Sequence, residues 1–176
     1  MPKTDSKKKE PYTVVRFVSR VSLHDRGDIG LGANPEQVVE ELGKYGKVLV
    51  SSEAPLPEKL SANQIKSPGS IHSLLYYASL YVGESPTMAS EAAILGTPAI
   101  YAQKSHRSYT EEQERDYGLV FNFHDPADMK DKAISKAAEI LSSTSKPEWR
   151  RRADRLVSEK VDVTEFAVNL LLSNAV

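Results

Sequence analysis

Cysteine is absent from the 176-residue chain, which excludes a disulfide framework and thiolate chemistry and suits a reducing compartment. An excess of either charge is absent too. Its 23 basic and 24 acidic side chains set up no field that would hold nucleic acid or an anionic membrane. No apolar run approaches the roughly 18 residues that suggest a membrane span. The first residues, MPKTDSKKKEP, lack the apolar core of a signal peptide and read as a flexible linker over residues 1–11. A cytoplasmic protein without a nucleic-acid partner or membrane span is expected. Glycine is sparse, and Gly27, Gly30 and Gly32 are wrongly spaced for the Gly-x-Gly-x-x-Gly turn of a nicotinamide-binding fold. The histidines are scattered over different elements, no pair at metal-ligand spacing, and His24-Asp25 is a weak pair. No cofactor and no metal are expected.

What is present alternates. YTVVRFVS, KVLVSS, LYVG, PAIYA and GLVFNF are rich in β-branched and aromatic residues and read as strands; NQIK is a candidate short strand. Between them lie helical segments. NPEQVVEELGKYG has Asn34 as N-cap, Pro35 at the first helical position and Gly46 as the stop. SIHSLLYYA has Ser70 as candidate N-cap. A third helix spans Pro86–Leu95, and a fourth lies near SYTEEQERDYG. After His124 the chain is helical only. Alternation of this kind predicts a single α/β domain over residues 12–176, a Rossmann-like parallel sheet with helices on both faces. Ligands then belong outside the carboxyl ends of the strands, in the loops at 20–33, 52–58, 66–70, 83–87 and 102–109.

The corner YVGESPTMASEAAILGTP carries the most chemistry. Gly83 permits a sharp turn, Ser85 suits an N-cap, and Pro86 is preorganised for the first helical position. A helix start offers unpaired N–H groups and partial positive charge, which favour a phosphate. Thr87 and Glu91 are four residues apart and share a helix face. Glu91 is suited to accept two hydroxyls of a vicinal diol. Phosphate followed by ribose describes a nucleotide; a plain helix start with a solvated glutamate is the competing interpretation. Residues 67–70 either wrap a base with backbone groups or form an ordinary turn. His72 reads as a surface or core histidine, and Arg150, Arg151, Arg152 and Arg155 as a solvated helix face.

SEAAILGTP resembles the Glu-Ala-x-x-x-Gly-x-Pro pattern of the donor-binding lobe of GT-B glycosyltransferases and of UDP-N-acetylglucosamine 2-epimerases. The resemblance implies that Glu91 binds the ribose of UDP. The epimerase pattern has Ser-Gly-Gly at the corner; Ser85 matches, whereas Pro86 and Thr87 replace the glycines, so one N–H donor is lost. HDRGDIG is similar to the epimerase loop His-Arg-Arg-Glu-Asn-Phe-Gly, with His24, Arg26 and Gly30 in matching positions. This implies that they face the sugar diphosphate. Residues 11–125 also resemble the C-terminal half of a family of archaeal and bacterial GT-B-like proteins of about twice this length, whose activity is not established. That likeness implies a missing N-terminal lobe.

The expectation is therefore a UDP-sugar-binding lobe of a transferase or epimerase, nearly inactive alone. Its substrate-binding residues would be His24, Arg26, Gly30, Gly83, Ser85, Thr87, Met88 through its N–H, and Glu91; no catalytic residue is assigned. The alternative is a non-catalytic interaction module that keeps the fold. Val163, Phe166, Ala167, Leu170 and Leu171 form an apolar stripe, with Val168 and Leu172 widening it. They suggest a partner surface, for the absent lobe or for a homodimer.

Overall fold

The computed structural model describes residues 10–19, 30–143 and 145–173. Five strands, β1 (Tyr12–Phe17), β2 (Lys47–Ser52), β3 (Leu80–Gly83), β4 (Ala99–Ala102) and β5 (Val120–Phe123), form one sheet in the order β2-β1-β3-β4-β5. Every pairing is parallel. The direction of winding reverses between β1 and β3, which opens a crevice at their carboxyl ends.

Strand periodicity divides the core. Val15, Leu80, Val82 and Ile100 pack on one face with Val38 and Val39 of α1 (Pro35–Gly43) and Ala133, Ala137 and Ile140 of α5 (Met129–Ser143). Their neighbours Val14, Tyr81, Ala99 and Tyr101 pack on the other. That face carries α2 (Ile71–Tyr77), α3 (Pro86–Ile94) and α6 (Lys146–Ser158). Ala89, Ala92 and Ala93 are fully buried, so α3 lies close to the sheet, as their small size predicts. The helix α4 (Ser108–Arg115) packs against α3 and β5.

Most helix boundaries obey local chemistry. Asn34 Oδ1 caps α1 by accepting from Gln37 N at 3.2 Å, and Ser85 Oγ caps α3 by accepting from Met88 N at 3.3 Å. Gly46 and Gly96 take positive φ where their helices stop. Three expectations need correction. NQIK is not a strand: Gln64 forms an isolated bridge with Val50, after a 3-10 turn over Glu58–Asn63. Ser70 does not cap α2 with its side chain; its hydroxyl donates to Ser67 O at 2.8 Å.

The arginines of α6 are not simply a solvated face. Arg150 donates to Leu95 O, at the C-cap of α3, and to Tyr76 O in the last turn of α2, while stacking on the Tyr76 ring at 3.6 Å. Arg152 reaches Gly118 O at 3.0 Å, and Arg155 reaches Asp116 O at the C-cap of α4. Cations thus satisfy carbonyls that three helices leave unpaired at their negative ends. Arg151, paired with Glu148, and Arg155, which also pairs with Glu159, keep the expected exposure.

The last helix, α7 (Val163–Ser173), buries none of its residues. Val163, Phe166, Leu171 and Leu172 are each between 60% and 71% exposed. An apolar face of this kind favours association. Light scattering over a concentration series is expected to show self-association, abolished by Phe166→Ser with Leu171→Ser at unchanged melting temperature. A monomer throughout, combined with a sharply less stable variant, would instead make α7 a core helix. Among the described residues no helix is long and apolar enough to cross a membrane.

Candidate functional site

The loops after four strands meet in a crevice of about 320 Å³ at the winding reversal. Ser19 follows β1, Glu53 follows β2, Ser85 follows β3, and Gln103, Ser105 and Arg107 follow β4. A second hollow of about 290 Å³ lies on the α2–α3 side, lined by Arg16, Gln64, Ile65, Ile71 and Met88. Ser85 belongs to the first and Met88 to the second, so the first turn of α3 separates the two.

The crevice floor is built by a buried carboxylate. Glu84 is 2% exposed; its Oε2 accepts from Val18 N and its Oε1 from Gly32 N, each at 2.9 Å. One side chain thus ties the end of β1 and the turn before α1 to the end of β3. Glu53 makes a similar tie, accepting from Ser19 N at 2.9 Å and from Arg16 at 2.5 Å. Both acids use their lone pairs on the protein's own donors, which lessens their opposition to an anionic ligand.

Two tyrosines hold the loops. Tyr81 donates to Ser85 O at 3.1 Å, and Tyr101 donates to Ser105 O at 2.9 Å. Burial raises the Tyr81 phenol far above its ordinary pKa, so it remains a donor throughout the physiological range. The sequence carries this device twice, as Tyr81-x-x-x-Ser85 and Tyr101-x-x-x-Ser105, and it is legible as a short repeat once the loops are aligned.

Of the residues expected to bind substrate, Gly83, Ser85, Thr87, Met88 and Glu91 come together on the end of β3 and the first turns of α3. Thr87 is exposed; Met88 N–H is occupied by Ser85 Oγ. Glu91 is half-buried and faces His72 of α2 at 3.6 Å, a contact of little consequence at that exposure. Gly83 serves close approach rather than a left-handed turn, because its φ is not positive. Gly30 is buried before the 3-10 turn Leu31–Ala33 and lines a separate hollow with Pro126 and Asp128. His24 and Arg26 lie outside the described residues.

The sequence does not single out Glu84, Gln103, Ser105 and Arg107, although they lie in the loops at 83–87 and 102–109 where ligands are expected. It also leaves His106 and His124 apart. Those two rings stack with centroids 3.9 Å apart, and His106 Nδ1 lies 2.7 Å from Glu111 Oε1.

No protein-family model and no curated protein sequence matches the chain. Solved structures do match. The spinosyn rhamnosyltransferase SpnG, complexed with spinosyn aglycone, aligns over 84% of this chain and 42% of its own, with TM-score 0.58 and 15% identity. The UDP-GlcNAc 2-epimerase of Methanocaldococcus jannaschii, in complex with UDP-GlcNAc and UDP, aligns over 85% of this chain and 46% of its own, with TM-score 0.52 and 12% identity. The chain thus spans less than half the length of these proteins, and its fold is that of a GT-B C-terminal lobe.

Proposed function

We propose that this lobe binds a nucleoside diphosphate sugar, with UDP as its nucleotide, across the first turn of α3. The observation that carries the reading is the division of two hollows by that turn. The base enters the hollow of Ile65, Ile71 and Met88, and the sugar occupies the crevice of Gln103, Ser105 and Arg107. The diphosphate lies between them at the start of α3, where Ser85, Thr87 and the helix N–H groups favour negative charge. For Met88 N–H to bind phosphate, the Ser85 cap must open. Glu91 takes the ribose diol in place of His72. Arg107 supplies the nearby cation, and His24 and Arg26, outside the described residues, are assigned to the diphosphate on the likeness of their sequence segment alone.

The full reaction is that of a sugar transferase or epimerase and needs a second lobe. The share of each matched structure that the chain spans and the exposed α7 both support this. Alone, the chain binds donor and turns over little. An interaction module that never binds nucleotide is the competing reading, favoured by α7 alone.

The test is calorimetric titration with UDP, supported by thermal shift, since a ligand at 100 times its dissociation constant adds about 2.7 kcal/mol to stability. Glu91→Gln is expected to weaken UDP by about 1–3 kcal/mol, the worth of charge-assisted hydrogen bonds, with folding unchanged. Equal affinity in variant and parent removes the ribose role. Absence of binding by the parent removes the nucleotide reading.

A further inference from the structure

His106, Glu111 and His124 come from the loop after β4, from α4 and from the end of β5. Their candidate ligand atoms all lie within 4.8 Å of one another. We propose that they form a binding site for a first-row divalent cation of the zinc class, beside the crevice and independent of whether the crevice takes a nucleotide.

The argument begins with His124. Its Nδ1 is 2.6 Å from Gln103 O, and a carbonyl can only accept, so Nδ1 carries the proton. In a neutral imidazole that leaves the lone pair on Nε2. This Nε2 is buried and has no hydrogen-bond partner among the described residues. A buried, unpaired polar atom is costly and calls for a partner. An imidazole held by a backbone carbonyl through one nitrogen, with the other unshared, is the usual arrangement of a metal-ligating histidine.

The other two groups complete a donor set. Glu111 brings one negative charge and His106 a second imidazole nitrogen. Two nitrogens and one carboxylate oxygen suit zinc, nickel or cobalt better than magnesium or calcium, which favour all-oxygen shells. In a tetrahedral zinc site with bonds of about 2.0–2.2 Å, ligand atoms sit roughly 3.4 Å apart. In the present cluster His106 Nδ1 lies 2.7 Å from Glu111 Oε1, and no edge exceeds 4.8 Å. The adjustment falls on His106, whose side chain is 67% exposed, while His124 stays anchored on Gln103. Arg107, whose guanidinium donates to His106 O at 2.8 Å, is the cation nearest in sequence, and the Glu111 carboxylate offsets it.

Three protein ligands leave a four-coordinate ion with one open position. Gln103, Ser105 and Arg107 interleave with His106 along the chain and line the crevice. Water or an anionic oxygen from the crevice would fill that position.

Zn²⁺ alone is the probe, with the chain dialysed free of metal and titrated by calorimetry; Co²⁺ reports geometry through its visible absorption. One Zn²⁺ per chain is expected, with Co²⁺ bands of low-coordinate type. His106→Ala and Glu111→Gln, both at exposed side chains, should each weaken binding at least tenfold with melting temperature unchanged in the absence of metal. His72→Ala should have no effect. Nitrogen-detected NMR should show zinc shifting Nε2 of His124 while Nδ1 keeps its proton. His124→Ala also breaks the Gln103 contact and is not the deciding variant. Absence of stoichiometric Zn²⁺ binding, or binding that survives both His106→Ala and Glu111→Gln, overturns the proposal.

Discussion

Glu84→Leu is expected to destabilise the domain by about 2–6 kcal/mol, because two part-buried backbone donors each lose a partner worth about 1–3 kcal/mol when left unsatisfied. Those donors are Val18 N and Gly32 N, both 2.9 Å from the Glu84 carboxylate. Leucine is similar in bulk and fills the space, so packing is not the cause. Glu84→Gln separates the terms further: its amide keeps one acceptor oxygen and turns an NH₂ toward the other backbone donor. Its loss should be at least half that of leucine, since the NH₂ opposes that donor instead of accepting from it. Urea unfolding gives the two free energies, and amide hydrogen exchange at Val18 and Gly32 reports where the structure loosens. Exchange that rises at these amides before global unfolding would place the damage at the crevice. A leucine variant as stable as the parent would show that water replaces the carboxylate at no cost.

The elements that sequence made legible are those whose signal is local. Alternating Val14 and Val15, or Tyr81 and Val82, announces a strand covered on both faces, and the buried pattern follows it. Ser85-Pro86 announces the start of α3, and Gly96 its stop. The corner at 83–91 was legible for the same reason: N-cap, first-turn proline and helix-face spacing are all local rules. Glu84 was not, because its partners lie 66 and 52 residues away and nothing in Gly-Glu-Ser-Pro distinguishes a buried acid from a solvated one. The arginines of α6 failed differently. Charge every residue or two suggests solvent, yet Arg150 finds carbonyls 55 and 74 residues distant. His106 and His124 belong with them, since adjacent parallel strands β4 and β5 bring together loops that linear spacing keeps apart. The candidate site is therefore half local and half topological, and only its helix start could be read in advance.

Gly83→Ala tests the topological half at its narrowest point. An added Cβ would lie 2.8 Å from Arg16 O, 2.9 Å from Arg16 Cβ and 2.5 Å from the Tyr81 hydroxyl oxygen. The first is backbone of the adjacent strand, where Gly83 pairs with Arg16. Relief requires β1 and β3 to part at the winding reversal, and overpacking of this kind costs about 1–3 kcal/mol, occasionally more. The same movement strains Glu84 N, which donates to Arg16 O at 3.1 Å, and with it the carboxylate that floors the crevice. Under the proposed function, affinity for UDP should therefore fall along with stability. Adding Tyr81→Phe removes the closest of the three contacts, so the double variant should recover part of the loss relative to additivity. Recovery cannot be complete while both Arg16 contacts remain. Gly43→Ala is the internal comparison: its Cβ meets nothing within 4 Å in α1, and alanine there should stabilise by about 0.5–1 kcal/mol through helix propensity. Opposite signs for the two glycines, read from urea midpoints at constant m-value, follow from close approach at Gly83. Equal signs would mean that β1 and β3 yield freely where the crevice opens.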